Sequence, residues 1–269
     1  MQKTIFITGA SSGLGKATAK FFQNKGWTVI ATMRDPKKEQ ELAALDHVHF
    51  YPLDVTDPAQ VKSTIAEILQ QFDVDVVFNN AGYGMVGGFE SYSENDLQRQ
   101  IETNLTGVLR VSQPFITYFR ERGKAGLLLT TTSAAGIAAN PLASVYSATK
   151  FALEGWSEAV NYEVNQFGIR LKTIAPGGMA TDYAGRSLSY IENKAYTPLW
   201  EKMIAGFEDG STGVHFSTAE DVAAVVYEAA TDNKAQLRYI AGPDAQKIAD
   251  DRKELGQQQQ FEQISKLYQ

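Results

Sequence analysis

Apolar residues in this chain come in short unbroken runs, separated by longer stretches with helical spacing. Ile5-Phe6-Ile7 has the composition of a strand buried on both faces. A glycine turn follows, then a helix from about Leu14 to Asn24, which Gly26 ends as a C′ residue. Trp27–Thr32, Val48–Tyr51, Val74–Phe78, Gly126–Thr131, Ile169–Ile174 and Arg238–Ile240 repeat the strand pattern, and Ser144–Phe167 reads as a long helix. Asp35-Pro36 and Asp57-Pro58 read as N-cap plus N1, each opening a helix. Gln60 stands where a capping-box partner of Asp57 belongs. Strands that alternate with helices pair in parallel through right-handed crossovers, because tight turns cannot join parallel neighbours. The expected fold class is α/β, a doubly wound parallel sheet of about seven strands with helices on both faces. No repeat and no linker divides residues 1–269, so one domain is expected. Gln257–Gln260 reads as a solvated polar helix or tail.

Composition narrows the chemistry. The 269 residues include no cysteine, which excludes thiol nucleophiles, disulfides, zinc–thiolate sites and iron–sulfur clusters. With 25 Lys+Arg against 31 Asp+Glu the net charge is −6, a poor match to a phosphate backbone or an anionic membrane. No nucleic-acid or membrane partner is expected. The opening run before Gly9 is too short for a signal-peptide core, and Gly126–Val145 is interrupted by Thr130, Thr131, Thr132, Ser133, Asn140 and Pro141. A soluble cytoplasmic protein is expected. His47 and His49 alternate onto one face of a strand, but no carboxylate or further histidine accompanies them, so no metal is expected.

The first turn carries the first candidate chemistry. Thr8-Gly9-Ala10-Ser11-Ser12-Gly13-Leu14-Gly15 joins strand to helix. Its glycines allow a tight turn and a close approach of backbone to a pyrophosphate, and the helix N-terminus offers unpaired N–H groups to that anion. A plain strand-to-helix turn uses similar residues; the position on the first strand of an alternating chain favours a dinucleotide. Past the second strand, Arg34 favours the 2′-phosphate of NADP(H). Asp35 is the candidate carboxylate for NAD(H), although its place before Pro36 already accounts for it as a cap.

Tyr146 and Lys150 are four positions apart, which on a helix puts both on one face. An ammonium beside a phenol favours the phenolate, making Tyr146 a candidate general acid/base. Tyr190 and Lys194 repeat the spacing, but in a stretch rich in Tyr, Ser and Gly that reads as a surface loop. Tyr146, in contrast, follows the fifth strand and Ser133 at that strand's carboxyl end, where open parallel sheets bind their ligands.

Taken in order, Thr8-Gly9 to Gly15, Asn79-Asn80-Ala81-Gly82, Asn104, Ser133, Tyr146, Lys150, Pro176-Gly177 and Thr181 resemble the short-chain dehydrogenase/reductase family, whose Rossmann-like fold would span nearly the whole chain. The resemblance implies that Tyr146 exchanges the proton of a carbonyl/alcohol pair and that Ser133 holds the substrate oxygen. Lys150 would also bind the nicotinamide ribose, and Asn104 would hold a water in a proton relay. Asn80, Ala81 and Gly82 would line the adenine-ribose side, Asp54 beside Val55 would meet the adenine amine, and Pro176, Gly177 and Thr181 would cradle the nicotinamide half. In the family a basic residue at the position of Arg34 marks NADP preference, whereas Ser12 replaces a second basic residue found in some members.

The segment from about 183 to 213 is the least regular and carries Tyr183, Leu188, Tyr190, Tyr196, Leu199, Trp200, Met203 and Phe207. It suits a substrate lid for a lipophilic alcohol or ketone, or equally an amphipathic helix packed on the core. Met85, Val86, Ala138, Asn140 and Leu142 are further pocket candidates. The expected activity is NADP-dependent interconversion of a carbonyl and a secondary alcohol. The alternative is a non-catalytic NADP-binding sensor or scaffold, which has no use for Asn104, Ser133, Tyr146 and Lys150 together. Sugar-nucleotide epimerase chemistry is a third reading, for which the chain leaves little room. The resemblance also implies a homodimer or homotetramer, paired through helices near Leu105–Arg120 and Ser144–Phe167.

Overall fold

A computed structural model describes residues 2–180 and 188–268. Seven parallel strands form the main sheet: β1 (Thr4–Thr8), β2 (Thr28–Met33), β3 (Val48–Pro52), β4 (Val76–Asn79), β6 (Gly126–Thr131), β7 (Ile169–Pro176) and β9 (Arg238–Ala241). Their spatial order is β3-β2-β1-β4-β6-β7-β9, so the winding reverses between β1 and β4. The expected doubly wound sheet is present.

Every residue of β1 and β4 is buried, because helices cover both faces. On one face α1 (Gly13–Asn24) and α7 (Ala219–Thr231) set Leu14, Phe22, Val222 and Val226 against Ile5, Ile7 and Val29. On the other, α2 (Pro58–Gln71), α4 (Gly107–Arg122) and α5 (Ser144–Val164) pack Ile65, Phe115 and Val164 onto Phe6, Val77 and Leu128. The Phe6 and Phe115 rings meet at 4.8 Å between centroids. Loss of either ring from so tight a core costs about 3–5 kcal/mol.

Several local expectations change. Asp35 does cap, accepting from Lys37 N, but Pro36–Lys38 is a single 3₁₀ turn and no α-helix follows. Asp57 caps α2 by accepting from Ala59 N and Gln60 N. The Gln60 side chain does not return to Asp57; its Oε1 accepts from Asp54 N at 2.6 Å. His47 precedes β3 with φ 62°, so it does not share a strand face with His49, whose ring packs on Phe72. Gln257–Gln260 lies within the C-terminal helix α8 (Pro243–Tyr268), where Gln260 is buried rather than solvated.

A second, two-stranded parallel sheet was not legible in the sequence. Here β5 (Gly84–Gly87) pairs with β8 (Leu188–Ile191), in the segment expected to form a lid. The helix α6 (Thr197–Glu208) follows, with Met203 buried and the Trp200 ring stacked on Tyr190 at 4.4 Å. Among the described residues no helix is long and apolar enough to cross a membrane.

Candidate active site

The reversal between β1 and β4 places two loops side by side at the carboxyl ends of the strands, the position where doubly wound sheets bind ligands. Thr8 Oγ1 spans that point, accepting from Asn80 N at 2.9 Å and Ala81 N at 3.0 Å. Asn80 returns the contact, its Nδ2 donating to the Thr8 and Gly9 carbonyls, while Thr131 Oγ1 donates to Asn80 Oδ1. The Asn80 side chain therefore stitches β1, β4 and β6 together.

The glycine loop has no room for side chains at two positions. A Cβ on Gly9, which has φ 67°, would lie 2.8 Å from Ala81 Cα, and one on Gly15 would lie 2.3 Å from the Gly9 carbonyl oxygen. Ser12 is the N-cap of α1 but makes no side-chain cap bond, and Ser11 is exposed. The N–H groups of the Gly13-Leu14-Gly15 turn thus lack a side-chain acceptor, as a pyrophosphate site requires. These features fit a dinucleotide.

Arg34 and Asp54 stand on the same side of this loop, at the carboxyl ends of β2 and β3. Arg34 is exposed just past Met33. Burial opposes ionisation of Asp54, but hydrogen bonds from Thr56 and the Arg34 charge outweigh it and hold the carboxyl below its ordinary value. Val55 is buried; its carbonyl accepts from Arg110 and its side chain packs on Gly107.

Asn104 sits in a π-helical turn, Glu102–Thr106, between α3 (Glu94–Ile101) and α4. Such bulges concentrate at functional sites because they re-aim a side chain and free main-chain groups. The Asn104 amide is buried and pairs with one residue: Oδ1 accepts from Tyr83 N at 3.0 Å and Nδ2 donates to Tyr83 O at 2.8 Å. It anchors the loop after Gly82.

Ser133 follows β6 and caps a 3₁₀ turn, Ala134–Gly136, by accepting from Ala135 N at 3.1 Å. That turn packs on α5: a Cβ on Gly136 would approach the Lys150 main chain to 3.1 Å. Tyr146 and Lys150 share one face of α5, with Lys150 Nζ 5.5 Å from the Tyr146 ring centroid. Lys150 is buried and donates to the Thr131 carbonyl at 2.8 Å. Burial pushes the Lys150 ammonium down to about 8, partly opposed by the Glu154 carboxylate one turn along α5. Tyr190 and Lys194 are not brought together this way, since Tyr190 is on β8 and Lys194 in a 3₁₀ turn.

Pro176 ends β7. Gly177 N donates to Ala241 O at 3.0 Å and Gly178 N to Asp244 Oδ2 at 2.7 Å, which fixes the loop against β9 and α8. Thr181 and Tyr183 lie outside the described residues. Met85, Val86, Ala138 and Leu142 are buried and Asn140 is exposed. Leu142 holds φ 60° while its carbonyl accepts from Gly87 N at 2.7 Å, a strained residue beside the candidate pocket. Sequence reasoning missed Glu154 and Asp244: neither belongs to a motif, Asp244 acts on Gly178 far away in the chain, and only the i, i+4 spacing from Lys150 could have pointed to Glu154.

The family model for short chain dehydrogenase matches residues 3–190. The chain belongs to the short-chain dehydrogenase/reductase family. As a member it is an oxidoreductase. It is 34% identical to oxidoreductase BOA17 of Botryotinia fuckeliana, over 93% of this chain and 92% of that one. It is also 34% identical to a 3-ketodihydrosphingosine reductase of Bacteroides thetaiotaomicron, over 71% of each. Among solved structures, a short-chain dehydrogenase from Streptomyces avermitilis shares 32% identity and 98% coverage of both chains, with a TM-score of 0.83. ElxO with NADP bound shares 26% identity over 90% of this chain and 96% of that one, at a TM-score of 0.74. Other structures of this fold hold NAD.

Proposed function

We propose that this short-chain dehydrogenase/reductase interconverts a carbonyl and a secondary alcohol, with NADP(H) preferred over NAD(H). One observation carries the reading: the buried Lys150 ammonium lies beneath the Tyr146 ring on a helix turn that packs against the Ser133 loop. Ser133 and Tyr146 hydrogen-bond the substrate oxygen. Tyr146 gives it a proton in reduction and takes one in oxidation, and Lys150 stabilises the phenolate. When bound, the cofactor supplies or accepts the hydride. Gly9, Ser11, Ser12, Gly13, Leu14 and Gly15 hold its pyrophosphate, Asp54, Val55, Asn80, Ala81 and Gly82 its adenosine half, and Pro176, Gly177 and Thr181 its nicotinamide. Arg34 binds the 2′-phosphate, which is the basis for preferring NADP(H).

The substrate in this reading is lipophilic. Met85, Tyr92 and Val145 form an apolar cluster beside Tyr83 and Ile191, next to the segment proposed as a lid, and one relative is named a 3-ketodihydrosphingosine reductase. A homo-oligomer is also proposed, supported by the exposed Phe151 and Tyr162 on α5. Light scattering measures that state. A panel of ketones and aldehydes followed by NADPH absorbance tests the reaction. Turnover of at least one apolar carbonyl is expected, with Tyr146→Phe reducing kcat by about a hundredfold or more. Unchanged turnover in Tyr146→Phe sinks the mechanism.

A further inference from the structure

Helix α8 lies beyond the segment that the family model matches, yet it reaches the active-site loops twice. At its start Asp244, buried, accepts from Gly178 N at 2.7 Å. Two turns further on, Arg252 converges on a single acceptor: Nε at 3.1 Å and Nη2 at 2.7 Å both donate to the Ile137 carbonyl. The arm is held in this pose by its own fold. Gly256 breaks the helix at φ 73° and turns the chain back, so that buried Gln260 Nε2 donates to Ile248 O at 2.9 Å.

Ile137 lies in the loop that runs from Ser133 to Ala138. Within it, Gly136 N donates to Ser133 O at 2.8 Å, and Ile137 N and Ala138 N both donate to Ala134 O. The loop is pressed on one side against the Lys150 main chain and drawn on the other toward Arg252. A charged donor pair on one carbonyl is stronger and more directional than a neutral bond, and the planar guanidinium loses little freedom in making it.

We propose that Arg252 is a positioning residue: its fork on the Ile137 carbonyl holds the 133–138 loop so that the Ser133 hydroxyl and Tyr146 converge on one substrate oxygen. This rests on the proposed role of Ser133. The C-terminal arm is then part of the catalytic apparatus, although it contributes no atom to the reaction.

The test compares Arg252→Met, Arg252→Lys, Ser133→Ala and the Ser133→Ala/Arg252→Met double variant on a carbonyl that the wild type reduces. NADPH affinity and thermal melts are measured alongside. Arg252→Met is expected to lower kcat by about tenfold or more with NADPH affinity unchanged, since misplacing a reacting group by an ångström has costs of that order. Arg252→Lys should recover part of kcat through one remaining donor. In the Ser133→Ala background the Arg252→Met change should add little further loss. Wild-type kcat in Arg252→Met, or a full additional loss in the double variant, overturns the clamp and leaves the function standing. Wild-type activity in Ser133→Ala removes the assigned role of Ser133 and this proposal with it. If Arg252→Met fails to fold, Arg252→Lys decides: lowered kcat at unchanged NADPH affinity and melting temperature supports the clamp, and wild-type kcat overturns it.

Discussion

Lys150 Nζ stands 5.5 Å from the centroid of the Tyr146 ring while donating to the Thr131 carbonyl at 2.8 Å. The cation is thus held under the phenol at the cost of its own hydration. Burial lowers the lysine from 10.5 to about 8, a shift equivalent to about 3 kcal/mol. The folded state therefore binds this proton less readily than the unfolded state, and the penalty is fully present below pH 8. It fades as pH rises from about 8 to 10.5.

Lys150→Met should accordingly abolish turnover and raise the melting temperature at pH 7. Loss of the Thr131 hydrogen bond, which has a charged donor, offsets the gain by about 2 kcal/mol. Melts of both proteins at pH 7 and pH 10 check this: the advantage of the variant should shrink at the higher pH. A lower melting temperature for the variant at pH 7 refutes it.

Glu154 opposes the burial of Lys150 electrostatically. It is itself buried and accepts from Thr132 Oγ1 at 2.6 Å, Thr173 Oγ1 at 3.1 Å and Arg238 Nε at 2.9 Å. Glu154→Gln keeps the shape and removes the charge, so Lys150 should titrate below pH 8. The limb of the pH–kcat profile that follows Lys150 should move to lower pH, and an unmoved profile counts against the coupling.

Arg34 separates the two cofactors in the proposed site. Arg34→Ala should raise KM for NADPH by about tenfold and leave KM for NADH nearly unchanged, since a charged hydrogen bond is worth about 1.4 kcal/mol or more. Initial rates with both cofactors measure it. An equal effect on both would place Arg34 away from the 2′-phosphate.

The Lys172 and Asp232 pair is structural. Buried Lys172 Nζ donates to Asp232 Oδ1 at 2.9 Å and to the Ala229 carbonyl, and Tyr239 OH donates to Asp232 Oδ2 at 2.7 Å. Burial opposes charge on Asp232, but the bonds from Lys172 and Tyr239 overcome it and hold the carboxyl well below its ordinary value. Its contribution is therefore present above the ordinary carboxylate value of 3.8 and lost as pH falls below it. Asp232→Asn should destabilise the protein by about 3 kcal/mol at pH 7, and by less in acid, as urea unfolding at both pH values would reveal.

Much of this protein is legible locally. All seven strands of the main sheet, the glycine turn and the Tyr146–Lys150 face follow from patterns within a few residues, because strand burial and helical spacing are short-range properties. The departures share one cause, which is competition from main-chain groups outside the local pattern. Gln60 suits a capping box with Asp57, but its side chain turns instead to Asp54 N, six positions back. Gln260 sits in a polar run, yet the reversal at Gly256 brings it to the Ile248 carbonyl. The β5–β8 pair joins residues about a hundred positions apart and leaves no local trace.

The sequence by itself determined the sheet, the cofactor loop and which side chains carry the proposed chemistry, since each depends on residue type and near spacing. Only the tertiary structure decided how those side chains are held. The engagement of Asn104 with Tyr83, the stitching of Asn80 across three strands, the bond from Arg238 to Glu154 and the grip of Arg252 on Ile137 all join residues far apart in the chain. Such contacts exist only after the chain has closed loops of tens of residues, and no spacing rule encodes them.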